Sequence, residues 1–203
     1  MTLPNLTRRA ALLGAAASLG GCSAISSLNA AATVLATYDL TPAPGSTAGA
    51  RSGRTLVVAR PQAGAAITTD RILIKPNPLS VTYLPDARWP DEAPAFLQTL
   101  LIRSIADTGR IGYVGPAEGG PVPDRALLTR MDAFQVEVRG EAFLVSVALS
   151  LTVLSDSDQR VIATRAFRHS APVVDDSPLA IVAGFQAVMD ALLPQMANFA
   201  LAA

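Results

Sequence analysis

Apolar and polar residues alternate along Phe134–Arg139 and again along Phe143–Leu154. In FQVEVR, Phe134, Val136 and Val138 share one side, and Gln135, Glu137 and Arg139 share the other. In FLVSVALSLTVL, Phe143, Val145, Val147, Leu149, Leu151 and Val153 oppose Ser146, Ala148, Ser150 and Thr152. A period of two marks a strand with one buried face. Gly140-Glu141 supplies the turn between the two runs, SDSDQR supplies the next, and Val161–Phe167 runs back. Strands joined by tight turns predict an antiparallel meander.

The first half carries shorter signals. Val34–Leu40 is a candidate first strand, and Thr41–Arg54, rich in Pro, Gly and Ser, must be a loop. Thr55–Ala59, Arg71–Lys75 and Leu79–Tyr83 are short apolar, β-branched runs that predict three further strands. Pro76 and Pro78 force a turn between the last two.

Two segments change period. Over Asp91–Asp107, Phe96, Leu97, Leu100, Leu101 and Ile105 fall on one helical face, opposed by Gln98, Arg103 and Asp107. Asp91 is the expected cap, Pro94 falls in the first turn, and Gly109 is the expected stop. Ser177-Pro178 opens a second helix in which Val182, Phe185, Met189, Leu192, Met196 and Phe199 form one apolar stripe. Pro194 should kink it or end it early. The string predicts an α/β fold: a single compact domain over 34–203, with a mixed, mostly antiparallel sheet of about seven strands and two main helices.

Composition narrows the chemistry. Half of the 203 residues are hydrophobic and only 16% are charged, enough to bury a core. Basic and acidic residues balance at 16 each, so bulk attraction to nucleic acid is not indicated. One cysteine, Cys22, allows no internal disulfide and no cysteine-built metal site. With Lys75 as the only lysine, and no Gly-rich loop ending in Lys-Ser/Thr, a P-loop ATPase is excluded. Neither a G-x-S-x-G elbow nor an H-E-x-x-H helix is present. His169, the only histidine, is a candidate lone base without a nucleophile motif facing it. Asp156 with Asp158, and Asp175 with Asp176, read as turn and pre-helix residues, so no catalytic group, metal or cofactor is expected.

The amino end is more specific. Arg8 and Arg9 precede Ala10–Gly20, eleven apolar or small residues. A membrane span needs ~20, whereas a basic start, a short apolar run and a small-residue cut site make an export signal. Leu19-Gly20-Gly21-Cys22 resembles the bacterial lipoprotein box, in which the thiol takes up a diacylglyceryl group. Thr7–Leu12 also resembles a twin-arginine signal, so the export route stays open between that and the general one. Residues 1–21 are the expected signal peptide, and 22–33 the lipidated terminus with a short tether. By resemblance to lipoproteins generally, Ser23 after Cys22 favours the outer membrane, on its periplasmic side.

Four short motifs follow in order: Tyr38-Asp39-Leu40, Asp70-Arg71-Ile72, Val81-Thr82-Tyr83 and Arg88-Trp89, the last directly before a helix, all downstream of the lipoprotein cysteine. Their sequence and spacing resemble the ABC-type transport auxiliary lipoprotein family. Phe199 stands where that family often carries a Trp. The resemblance implies a compact α/β domain akin to the N-terminal domain of TolB and a non-enzymatic role in a lipid transporter. Its implied partner is an MCE-domain protein that crosses the periplasm, and through it a permease and an ATPase. Asp70, Arg71, Tyr83, Arg88 and Trp89 have two readings: a partner-binding cluster at a helix entrance, or a structural joint with Trp89 beneath the helix and Arg88 paired to a carboxylate such as Asp70. Two rival functions are a lipid carrier, which needs an apolar cavity, and a hydrolase built on His169.

Overall fold

One strand organises the sheet. The computed structural model describes residues 35–203, and Ala36–Ala203 forms one compact unit. The expected signal peptide and tether, with Cys22, lie outside the described residues. In chain order the elements are β1 (Ala36–Thr37), β2 (Thr55–Val58), β3 (Gln62–Ala63), β4 (Arg71–Asn77), β5 (Ser80–Arg88) and α1 (Ala93–Ala106). There follow β6 (Tyr113–Pro116), β7 (Arg125–Arg139), β8 (Ala142–Ser155), β9 (Val161–Val173) and α2 (Pro178–Ala202). All nine strands join one mixed sheet. Along one edge of β7 runs β8, antiparallel over the whole length from Arg125↔Ser155 to Arg139↔Ala142, and β9 continues the meander beyond it. Along the other edge β2, β3 and β4 follow each other end to end, all parallel to β7. β6 extends the sheet from β2, and β5 then β1 extend it from β4.

The two ends of this sheet differ. β7 ends at Arg139 beside the close of β4, the turn into β8 and the close of β9; this is the hairpin end. The opposite end holds the start of β7, β6 and the β8–β9 turn. Gly140 turns the β7–β8 hairpin at φ 65°, a left-handed value that costs glycine little.

Both helices cover one face. On β8 the inward set is Val145, Val147, Leu149, Leu151 and Val153, all buried, as the alternation requires. On β7 the inward set changes parity: Leu127, Thr129 and Met131 are buried first, then Phe134 and Val136. The cause is a bulge between Met131 and Ala133, which leaves Asp132 without a partner on β8. Asp132 points outward, where Arg130 Nε donates to its carboxylate at 2.7 Å. That hydrogen bond holds the Asp132 carboxyl below the usual range and the Arg130 guanidinium above its own.

The helices start and stop partly as their sequences predict. Ser177 caps α2, its Oγ accepting from the Ala180 N–H at 3.4 Å, with Pro178 in the first turn. The α1 cap differs from expectation. Glu92 occupies the N-cap without a side-chain bond, and Asp91 accepts from the Glu92 N–H instead, because the chain is still extended at Glu92. At the far end Gly109, at φ 67°, donates its N–H to the Ala106 carbonyl. Pro194 does not end α2 early: the helix runs on to Ala202. Leu192 and Leu193 before the proline and Met196, Ala197 and Ala200 after it are all buried, and this packing outweighs one missing backbone bond.

Other differences also have reasons. Nine strands form where the pattern counts about seven, because β3 and β6 are too short to show a period. β1 is shorter than Val34–Leu40, and β7 and β9 are longer than Phe134–Arg139 and Val161–Phe167. Pro76 lies inside β4, at an irregular step between Ile74 and Asn77 where its missing N–H breaks no ladder.

Deleting Asp132 alone removes the unpaired residue and keeps Phe134 and Val136 inward, so the cooperative unfolding transition is expected to survive, whereas deleting Asp132 and Ala133 together turns Phe134 and Val136 to solvent and is expected to abolish it. Near-ultraviolet circular dichroism with urea unfolding checks both; a double-deletion variant that unfolds like wild type contradicts the bulge's role.

Candidate functional site

The family-like motifs converge on the joint between β5 and α1. β4 and β5 pair at Leu73↔Tyr83 and again at Arg71↔Arg88, so β5 advances five residues while β4 advances two. The excess forms a bulge over Leu84–Ala87, with Asp86 at φ 55°. Bulges leave backbone groups without ladder partners. Arg71 fills that need, donating from Nη2 to the Leu84 carbonyl at 3.0 Å. The Asp70 carbonyl accepts the Trp89 N–H at 2.7 Å, and the Thr69 carbonyl accepts from Ala93 at 2.9 Å. The segment before β4 thus fixes the direction in which the chain leaves β5 and enters α1.

Side chains reinforce the joint. Arg88 pairs with Asp70 at 3.6 Å, donates from Nε to Thr37 Oγ1 at 3.1 Å, and accepts the Tyr38 N–H on its carbonyl at 2.9 Å. Tyr83 donates its hydroxyl to the Ala66 carbonyl at 3.3 Å, tying the β3–β4 loop to the outer side of the hairpin. Arg60 and Glu92 form an ion pair from the other flank. Trp89 is 1% exposed. Its ring centroid lies 5.4 Å from Phe96, 5.8 Å from Phe134 and 5.1 Å from Phe185, so α1, β7 and α2 all meet on it. Offset and edge-on contacts at these separations are the favourable ones.

The geometry gives these five residues different surfaces. Trp89 faces the core and offers nothing to a partner. Arg71 and Tyr83 are half-buried, with Arg71 engaged by the bulge and Tyr83 by the loop. Asp70 and Arg88 keep about two-fifths of their side chains in water, at 38% and 46% exposure. A shallow depression of about 390 Å³ lies beside them, lined by Thr68, Thr69, Asp70, Pro90, Asp91 and Glu92. Sequence reasoning does not find the bulge; its signal is Pro85-Asp86 within an otherwise strand-like run.

No catalytic constellation is assembled by the other candidates. His169 is exposed on β9, and its imidazole points to the opposite side of the sheet from Ser146 and Ser170. Asp158 pairs with Arg160 in the β8–β9 turn, and Asp175 accepts the Ser177 N–H at 2.9 Å. Among the described residues, no group of three or more His, Cys, Asp or Glu side chains could hold a metal. The space between sheet and helices is filled by Trp89, Phe96, Phe134 and Phe185, where a lipid carrier needs an apolar void.

The joint predicts a ranked series. Trp89→Ala is expected to cost about 3–5 kcal/mol, Arg71→Ala about 1–3 kcal/mol, and Asp70→Asn under about 1 kcal/mol. Urea unfolding followed by far-ultraviolet circular dichroism gives the order, and an Asp70 variant as damaging as the Trp89 variant contradicts it.

The fold recurs in solved structures. A crystal structure from Xanthomonas campestris is 24% identical, covers 82% of this chain and 95% of its own, and superposes with a TM-score of 0.75. A second, of an uncharacterised protein, is 13% identical, covers 82% and 97%, and gives 0.61. Among curated proteins no sequence matches. The model of the family described as the ABC-type transport auxiliary lipoprotein component matches residues 38–197, from Tyr38 almost to the end of α2. The chain belongs to the ABC-type transport auxiliary lipoprotein family.

Proposed function

We propose that this protein is a non-catalytic, lipid-anchored component of an envelope lipid transporter, holding a periplasm-spanning MCE-domain protein to the outer membrane. Family membership supports the link to an ABC transport system. The observation that carries the anchoring is Leu19-Gly20-Gly21-Cys22, a lipoprotein box set upstream of a folded body. The anchored thiol and its new amino terminus carry three acyl chains. Two membrane signals already make attachment stable where a single chain is marginal, since each buried CH₂ contributes ~0.8 kcal/mol. Ser23 directs the mature protein outward. The absence of an assembled catalytic group among the described residues suits a tether whose work is position.

Residues 23–33 set the reach. A free chain of eleven residues has a root-mean-square extension of about 18 Å, on 5–6 Å × √n. This keeps the domain beside the leaflet and raises the effective concentration of its partner there.

Cys22→Ala is expected to yield a folded domain that leaves the membrane fraction and no longer complements loss of transport. Fractionation, circular dichroism and a complementation assay in the native host check the three parts. Complementation equal to wild type by a soluble Cys22→Ala protein refutes tethering as the mechanism. Recovery of an MCE-domain protein with the lipidated chain, identified by mass spectrometry, tests the partner.

A further inference from the structure

The hairpin end of the sheet carries bare apolar tips. Leu79, in the β4–β5 turn, is 98% exposed; Val174, just after β9, is 92% exposed; Leu179, in the first turn of α2, is 70% exposed. Their registers place them together. Lys75 pairs with Glu137, Glu137 with Leu144, and Leu144 with Pro172, so the ends of β4, β7, β8 and β9 stand level. Three strand spacings separate the Leu79 turn from Val174, about 15 Å. Gly184 of α2 lies against Val145 and Val173, which sets the start of α2, and with it Leu179, at the same end. Exposed valine and leucine tips on separate turns are costly in water and add nothing to the core.

The charges among these tips are mixed. Lys75 and Arg139 supply the cations, and Glu137, Glu141, Asp175 and Asp176 the anions. Lys75, Asn77, Pro78, Glu137, Val138 and Arg139 line a depression of about 310 Å³ on the outer side of the hairpin end. Arg139 donates to Glu137 at 2.8 Å and holds its carboxyl below the usual range, so it is ionised at neutral pH. Anionic lipid would be repelled by the acidic excess. A headgroup with both an ammonium and a phosphate finds a partner for each.

The chain direction agrees. β1 pairs parallel with β5 at Ala36↔Ala87 and Thr37↔Arg88, and β5 runs away from the hairpin end. The residue before Ala36 therefore lies on the side of β1 that faces that end. From Ala87 back to Ser80 is about 23 Å of strand. The fourteen residues from Cys22 to Ala36 span up to about 50 Å when extended, ample to reach a bilayer at that end.

We infer that the hairpin end, through Leu79, Val174 and Leu179, rests on a bilayer of zwitterionic phospholipid, which leaves the opposite end of the sheet facing away from the membrane. This orientation rests on the anchored reading given above. The lipidated chain tests it. Cys22 is the only cysteine and its thiol is consumed by the anchor, so Leu79→Cys, Val174→Cys, Val122→Cys and Val161→Cys each give one free thiol for a bimane label. All four sites are exposed, and the folding of each variant is checked by its unfolding midpoint. In phosphatidylethanolamine–phosphatidylcholine vesicles, nitroxide-lipid quenching is expected to be at least about twofold stronger at positions 79 and 174 than at 122 and 161. Added phosphatidylglycerol should not raise it. Equal quenching at both ends, or stronger quenching at 122 and 161, overturns the orientation. So does protection at 79 and 174 that appears only when a partner protein is added. Mass analysis of the amino-terminal peptide separates the two readings. If the thiol is free, the anchor fails alone, and the same labels in a Cys22→Ser background decide: a blue shift at 79 with vesicles supports the contact, and no shift at 79 overturns it.

Discussion

The ladder between β7 and β8 is the constraint on which the rest depends. It is the longest in the sheet and fixes β7 along its whole length. The free edge of β7 then offers pairing sites to three short strands in turn, none of which has enough residues to stand alone. The Asp132 bulge within it sets the phase of both halves, so the faces of β2, β3 and β4 inherit their orientation from one unpaired residue. Phe134, just past that bulge, is thereby aimed at Trp89 and Phe185. Register, core and helix placement are thus linked through a single strand.

What was legible in the sequence follows the same division. β8 alternates without interruption over twelve residues, and its inward set could be named residue by residue. α1 and α2 show a clear period, and their expected stripes are buried except at Phe199, which is half-buried. The first half of β7 was not legible, because ALLTRMD mixes two phases around a bulge and presents no single period. β3 and β6 were invisible, since two and four residues carry no periodicity and form only against strands already in place. Pro194 was misjudged because the penalty for a lost backbone bond is local, whereas the burial that offsets it comes from residues on both sides.

At the family-like motifs, sequence order predicted proximity better than role. Asp-Arg-Ile and Arg-Trp are separated by sixteen residues, yet they touch because β4 and β5 form a hairpin. The same contacts explain what these residue types do together in this chain. A bulge needs a long cation to reach its stranded carbonyl, and the turn into α1 needs a large ring beneath it. A joint of this kind fixes the direction of α1 against the sheet.

The outer margin of β9 has a consequence of its own. Among the described residues β9 pairs only with β8, so the backbone donors and acceptors of alternate residues along this thirteen-residue strand line an open border of the sheet. Such a border is a template for cross-β growth. Here Pro172 removes one donor near its end, and Arg165 and Arg168 project charge to opposite sides of the strand. These side chains act as gatekeepers against fibrillar stacking, a hazard that concentration on a two-dimensional surface would otherwise sharpen.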